Sequence, residues 1–182
     1  MASLITHAVA AVALGQAAKP AWRSDWRFWS ASVFCSVLPD VDVIGFRYGV
    51  QYGAVWGHRG MTHSLLFAAL AAAVVGTLLK YSGSDRWSLM LLLFVITASH
   101  GLLDAMTDGG LGVAFFSPFN MTRYFLPWRP IEVSPISIRH FFSARTISIL
   151  ASEIRYVWLP CALLGVSLYP LRRWREPRLA QK

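Results

Sequence analysis

Charge is what this chain has least of. Asp, Glu, Lys and Arg together make up 14% of its 182 residues, where an ordinary soluble domain carries about a quarter. Acid is scarcer still, with nine Asp and Glu against 17 Lys and Arg. Such a composition excludes an ordinary free-standing soluble domain. Cysteine is nearly missing as well: Cys35 and Cys161 are the only two, each in an apolar run, so no disulfide scaffold holds the fold. Low hydrophobicity, the mark of a disordered chain, is also absent.

What is present is apolar. Hydrophobic residues make up 55% of the chain, mean hydropathy is +0.48, and there are eight Trp. A net charge of +8 points to nucleic acid when the cations line a polar face and accompany a binding motif. Here they lie between and after hydrophobic stretches, and the basic C-terminal tail is short and carries no such motif. The pattern is that of a small integral membrane protein, and no nucleic-acid partner is expected.

A spanning helix needs roughly 20 mostly apolar residues. Ser64 to Lys80, Trp87 to Thr107 and Ile154 to Leu171 meet this requirement. Leu4 to Ala18 and Trp26 to Leu38 are shorter, the second ending at Pro39. The expected fold is an all-α polytopic membrane bundle of about five helices, one domain over residues 1–182 without internal repeats. No Lys or Arg precedes the first apolar run, so that run is expected to be an uncleaved helix rather than a signal peptide.

Lys and Arg placement sets the expected orientation. Lys19, Arg23, Arg27, Lys80, Arg86 and the Arg-rich tail crowd onto one set of short connections. That set should be cytoplasmic, with the C-terminus, and the longer loops 39–63 and 108–153 should lie on the outer side. The second loop mixes Phe, Trp, Arg and Pro, a composition suited to the headgroup layer, and His140 within it reads as interfacial.

Ionisable groups within apolar segments are costly and mark function. His7 lies in the first helix, Asp40 and Asp42 (LPDVD) follow the second, His58 and His63 (GHRGMTHS) lead into the third, and His100 and Asp104 (HGLLD) lie late in the fourth. The four-residue spacing of His100 and Asp104 puts both on one helix face. His58 and His63, five apart with Gly60 between, place His58 on the entering loop and His63 in the first turn. Asp40 and Asp42 converge only if the chain after Pro39 is extended or turned. Taken singly, each has a plain structural explanation, such as a helix stop or a packing hydrogen bond. With five spans, however, all seven fall on the same membrane side.

Four imidazoles and three carboxylates exceed the three protein ligands of a mononuclear catalytic zinc. They predict a site for two or more divalent ions, with zinc, manganese and iron all compatible with the ligand types. Asp40 or Asp104, where not a ligand, would accept a proton. Arg59, Arg123 and Arg129 are candidates for holding a phosphate, with anchoring to lipid headgroups as the other role open to each.

These residues sit in the segments LPDVDVI, GHRGMTHSLLF, HGLLDAMTDGGLGVAFFSPF and RYFLPWRPIEVSP, after an early helix with a His. Together they resemble the YdjM-like membrane-bound metal-dependent hydrolases of bacterial inner membranes, from about His7 to Pro135. The resemblance implies an inner-membrane protein with a metal-dependent hydrolase site, distantly similar to zinc-dependent phospholipase C, an all-helical fold built around His and Asp zinc ligands. It implies His7, Asp40, Asp42, His58, His63, His100 and Asp104 as ligands, and it names no substrate.

The leading expectation is therefore a metal-dependent hydrolase acting on a phosphoester or related bond of a lipid or lipid-linked substrate. The competing expectation is a non-enzymatic membrane protein whose cluster binds a transition metal for transport or structural support. Transport calls for polar groups through the full membrane depth, and the third and fifth helices carry almost none in their cytoplasmic halves.

Overall fold

The computed structural model of the chain describes residues 1–79, 81–136 and 143–167. Among these residues the regular structure is helical, with two isolated bridges, Thr107 with Ile131 and Val113 with Tyr124, and no strand.

Helix α1 (Leu4–Gly15) starts at Ser3, whose hydroxyl accepts from Thr6 N and so satisfies a free N–H of the first turn. A single turn, α2 (Pro20–Arg23), opens with proline, which has no N–H to waste there. Helix α3 (Trp26–Val37) is capped by Asp25. The α-helix ends just before Pro39, as expected, but the helical path does not end there. Leu38–Tyr48 continues as a 3₁₀ helix with proline in its opening turn, where its ring and missing N–H are tolerated. Trp26–Tyr48 thus forms one apolar helical stretch of 23 residues.

A non-helical stretch and a 3₁₀ turn (Met61–His63) lead to α4 (Leu65–Leu78), with Ser64 as its cap. Helix α5 (Gly83–Ala105) begins four residues before the expected Trp87. Helix α6 (Arg145–Ser167) begins nine residues before the expected Ile154. Its first turns, which carry Arg145, Ser148 and Glu153, thus take up residues expected in the outer loop. The expected ends at Lys80 and Leu171, the Arg-rich tail and His140 lie outside the described residues.

Three helical stretches are long and apolar enough to cross a membrane: Trp26–Tyr48, Gly83–Ala105 and Arg145–Ser167. Leu4–Gly15 and Leu65–Leu78 are shorter apolar helices. The core is Ala11, Phe28, Cys35, Ala72, Leu89, Leu93 and Ile96, drawn from α1, α3, α4 and α5. Small residues let these helices close on one another, as membrane helices require. Where α4 meets α5, a Cβ on Gly76 would lie 2.6 Å from Met90 Cγ. This packing brings the C-terminal end of α5, the C-terminal end of α3 and the N-terminal end of α1 to one end of the bundle.

Candidate metal centre

Helix α5 supplies His100 and Asp104, one turn apart and both fully buried. Gly101 between them permits close approach to the chain before α4, since a Cβ there would stand 3.1 Å from the His63 carbonyl oxygen. His100 Nδ1 lies 2.7 Å from the carbonyl of Ser36 in α3. A carbonyl can only accept, so Nδ1 carries the proton and Nε2 presents its lone pair. His7 of α1 stacks on the same ring, with centroids 3.6 Å apart and planes 13° from parallel.

Four ligand atoms then converge. His100 Nε2 is 3.1 Å from His63 Nε2 and 3.4 Å from Asp40 Oδ1. His63 Nε2 is 3.7 Å from Asp40 Oδ1 and 3.6 Å from Asp104 Oδ2. All four atoms lie within 4.8 Å of one another, and all four residues are buried. Zinc bonds of roughly 2.0–2.1 Å to nitrogen and oxygen set the edges of a tetrahedron at about 3.3 Å, the scale seen here. The polar atoms left over make the same point: both Asp40 oxygens, Asp104 Oδ2 and both His7 nitrogens are buried without a hydrogen-bond partner. Buried polar atoms are ordinarily satisfied, and a cation among them would serve several at once.

Asp42 and His58 form a second grouping, linked to the first through His63. Here the facing atoms are paired, while His58 Nε2 is buried without a hydrogen-bond partner. Asp42 Oδ1 meets His58 Nδ1 at 2.8 Å, and Oδ2 accepts from Thr62 Oγ1 at 2.6 Å and from Arg59 N at 3.3 Å. His63 turns Nδ1 to Asp42 Oδ2 at 3.2 Å, so one ring joins the two groupings by its two nitrogens. The 3₁₀ winding of Leu38–Tyr48, rather than an extended turn, presents the two aspartates to these different neighbours. Burial opposes a proton on His63, but Asp104, Asp40 and Asp42 outweigh it and push its pKa up to about 10. Burial prevails at His58 and lowers its pKa in spite of Asp42.

The arginines divide. Arg59 is fully buried in a left-handed backbone conformation (φ 63°). Its Nε lies 3.0 Å from Asp104 Oδ2, without hydrogen-bond alignment, while its terminal nitrogens donate to Gly109 O and Thr107 Oγ1. Arg123 donates to the carbonyls of His58, Tyr52 and Ala54, pinning the loop that carries His58. Neither leaves its guanidinium open as a substrate handle was expected to. Arg129 is exposed, over the ring of Phe125.

All seven His and Asp residues singled out in the sequence thus lie in one connected cluster. The sequence reading missed two groups beside it. The Ala2 N–H donates to Asp104 Oδ1 at 2.8 Å, and Glu153 of α6 lies buried against Ser3 and Thr6. No residue pattern marks either, because the partners are about 100 and 150 positions apart.

Comparison with known proteins agrees with this architecture. Inner membrane protein YbcI of Escherichia coli (strain K12) is 38% identical over 177 residues, covering 95% of this chain and all of that protein. No solved structure matches. The family described as YdjM inner membrane protein matches residues 1–175, well past the Pro135 limit of the sequence resemblance. With its apolar helices and buried His and Asp cluster, the chain is an inner membrane protein and belongs to the YdjM family.

Proposed function

We propose that this protein is a membrane-bound, metal-dependent hydrolase that cleaves a phosphoester or related bond of a lipid or lipid-linked substrate. The observation that carries the reading is the convergence of four buried ligand atoms at the spacing of a coordination shell, two of them, Asp40 Oδ1 and Asp104 Oδ2, without a hydrogen-bond partner. We assign the ion to Asp40, His63, His100 and Asp104, with His7 at its edge. Zinc suits this ligand set and distance scale best. Asp42 and His58, expected as ligands, are assigned instead to holding His63, since their facing atoms are engaged with one another. A second ion in their grouping would require His63 to ligate through both nitrogens.

When bound, a divalent ion supplies Lewis acidity toward a phosphoryl oxygen and acidifies water near neutral pH. The protein's own groups do the rest. Ser36 fixes the tautomer of His100, and Asp42 orients His63, as supporting partners of metal-bound histidines do. Neither oxygen of Asp40 has a hydrogen-bond partner; Oδ1 faces the cluster, and we assign the other to accepting a proton from water. Asp104, pinned through Oδ1, serves as ligand. Arg129 is the arginine left to meet a substrate phosphate. The charge arrangement in the sequence supports a site on the outer side with the C-terminus in the cytoplasm.

Elemental analysis of detergent-purified protein beside His63→Ala tests the metal. Release of phosphate or headgroup from phosphatidylglycerol and isoprenoid phosphates with added Zn²⁺ tests the reaction. Bound metal without turnover of either substrate class, together with His63-dependent metal uptake into vesicles, would replace hydrolysis by transport.

A further inference from the structure

Glu153 is a buried acid to which the hydrolytic reading gives no role. It is fully buried, although it sits on the candidate span with the smallest share of its surface inside the protein. Its carboxylate accepts three hydrogen bonds, from Ser3 N at 2.5 Å, Ser3 Oγ at 2.6 Å and Thr6 Oγ1 at 2.8 Å. Trp158 Nε1 in turn donates to Thr6 Oγ1 at 2.7 Å. Immediately after Glu153 the helix widens to π winding over Ile154–Trp158. π-Helical bonds join residues five apart, and this local widening accompanies the presentation of both Glu153 and Trp158 to the start of α1. Such π turns are frequent at functional sites.

One residue before Ser3, the chain touches the metal centre. Ala2 N donates to Asp104 Oδ1, while Asp104 Oδ2 faces His63 Nε2. Two consecutive backbone N–H groups are therefore shared between two carboxylates, Ala2 to Asp104 and Ser3 to Glu153. We infer that Glu153 is a positioning residue of the metal centre, clamping Ser3 so that the Ala2 N–H holds Asp104 Oδ1 and leaves Oδ2 for the ion. The inference rests on the proposal that Asp104 is a metal ligand. Without the clamp, Asp104 Oδ1 loses the Ala2 N–H and keeps only His7 Nε2 at 3.5 Å, while Oδ2 stays 3.0 Å from Arg59 Nε, so the carboxylate is held from one side alone.

The test is Co²⁺ titration of the full-length, chelator-stripped protein in detergent, read by affinity and by the visible ligand-field spectrum. Wild-type protein should bind Co²⁺ with the intense bands of a tetrahedral site. Failure of the wild type to bind would overturn the metal centre itself, independently of Glu153. Given wild-type binding, Glu153→Ala and the isosteric Glu153→Gln should weaken Co²⁺ binding about 10-fold or more, the effect of losing a supporting partner, and should shift the spectrum. Glu153→Asp should recover part of both. Should Glu153→Ala fail to fold, Glu153→Gln carries the same two readouts with the packing preserved. A lower melting temperature in Glu153→Gln with wild-type affinity and spectrum would mean that Glu153 only docks α6, and would overturn the inference.

Discussion

Asp42 stands directly behind His63: its Oδ2 is 3.2 Å from Nδ1, while Nε2 of the same ring looks the other way, toward Asp40 and Asp104. A carboxylate behind a ligating imidazole fixes the ring's orientation and raises its basicity. Asp42→Asn keeps the shape and removes the charge. The variant should still bind Zn²⁺, about 10- to 100-fold more weakly, whereas His63→Ala should retain none. Competition against a fluorescent zinc chelator would measure both, and equal losses in the two variants would make Asp42 a ligand in its own right.

His7 and His100 share a stack but stand differently toward the ion. His100 has a fixed tautomer and an Nε2 within 3.4 Å of Asp40, so His100→Ala should abolish tight binding. His7→Phe preserves the stacked ring and deletes two nitrogens that make no hydrogen bond, one of which, Nε2, faces Asp104 Oδ1 at 3.5 Å. Its affinity should fall about tenfold with the stoichiometry unchanged. Wild-type affinity in His7→Phe would reduce His7 to packing alone.

Proton linkage follows from His63. In the metal-free protein its pKa is held up at about 10 against an ordinary 6.5, so between those values the folded chain binds a proton that the unfolded chain has lost. The stabilisation is full below pH 6.5 and disappears as the pH rises toward 10. A metal ion held at Nε2 would replace that proton. Zinc binding near neutral pH should release about one proton, and calorimetric titrations in buffers of different ionisation enthalpy should show it. Stability of the stripped protein that rises from pH 6.5 to 10 would contradict the sign.

The parts of the site legible in the sequence are those that local geometry dictates. The spacing of His100 and Asp104 allows one helical arrangement, and helices that alternate in direction carry His7, LPDVD and GHRGMTHS to the same end. The inward turn of Arg59 was not legible, because an arginine between two histidines reads as a cation for a phosphate or a lipid headgroup until a left-handed φ aims it at Asp104. The path past Pro39 was misread because proline stops an α-helix yet fits the opening turn of a 3₁₀ helix. Glu153 read as a loop acid because nothing near it in the chain shows that Ser3 will meet it.

Arg59 is the buried guanidinium set among the carboxylates of the centre, with Nε 3.0 Å from Asp104. Arg59→Met fills much of the same volume but leaves Asp104 without that cation. Breaking a buried pair from one side costs about 3–5 kcal/mol. The metal-free variant should melt far below the metal-free wild type, and saturating Zn²⁺ should narrow the gap by supplying charge at the same carboxylate. Thermal unfolding followed by circular dichroism in detergent, with and without metal, would measure it. A gap unchanged by metal would separate Arg59 from the centre.

Gly57 and Gly60 bracket His58 and Arg59, and the backbone folds tightly over both. A Cβ at Gly57 would lie 2.2 Å from Gln51 O, and one at Gly60 would lie 2.3 Å from Val55 O and 2.7 Å from Gly57 O. These obstacles are backbone, which cannot swing aside as a side chain does. Gly57→Ala and Gly60→Ala should each cost about 1–3 kcal/mol, the scale of overpacking, and should weaken metal binding because the same loop positions His58 and leads into His63. Gly53 lies in the same loop but meets only Leu111 Cδ1, at 4.0 Å. Gly53→Ala should leave stability and zinc affinity near wild type. A loss in Gly53→Ala equal to that in Gly60→Ala would mean that loop flexibility, rather than close backbone approach, is what these glycines provide.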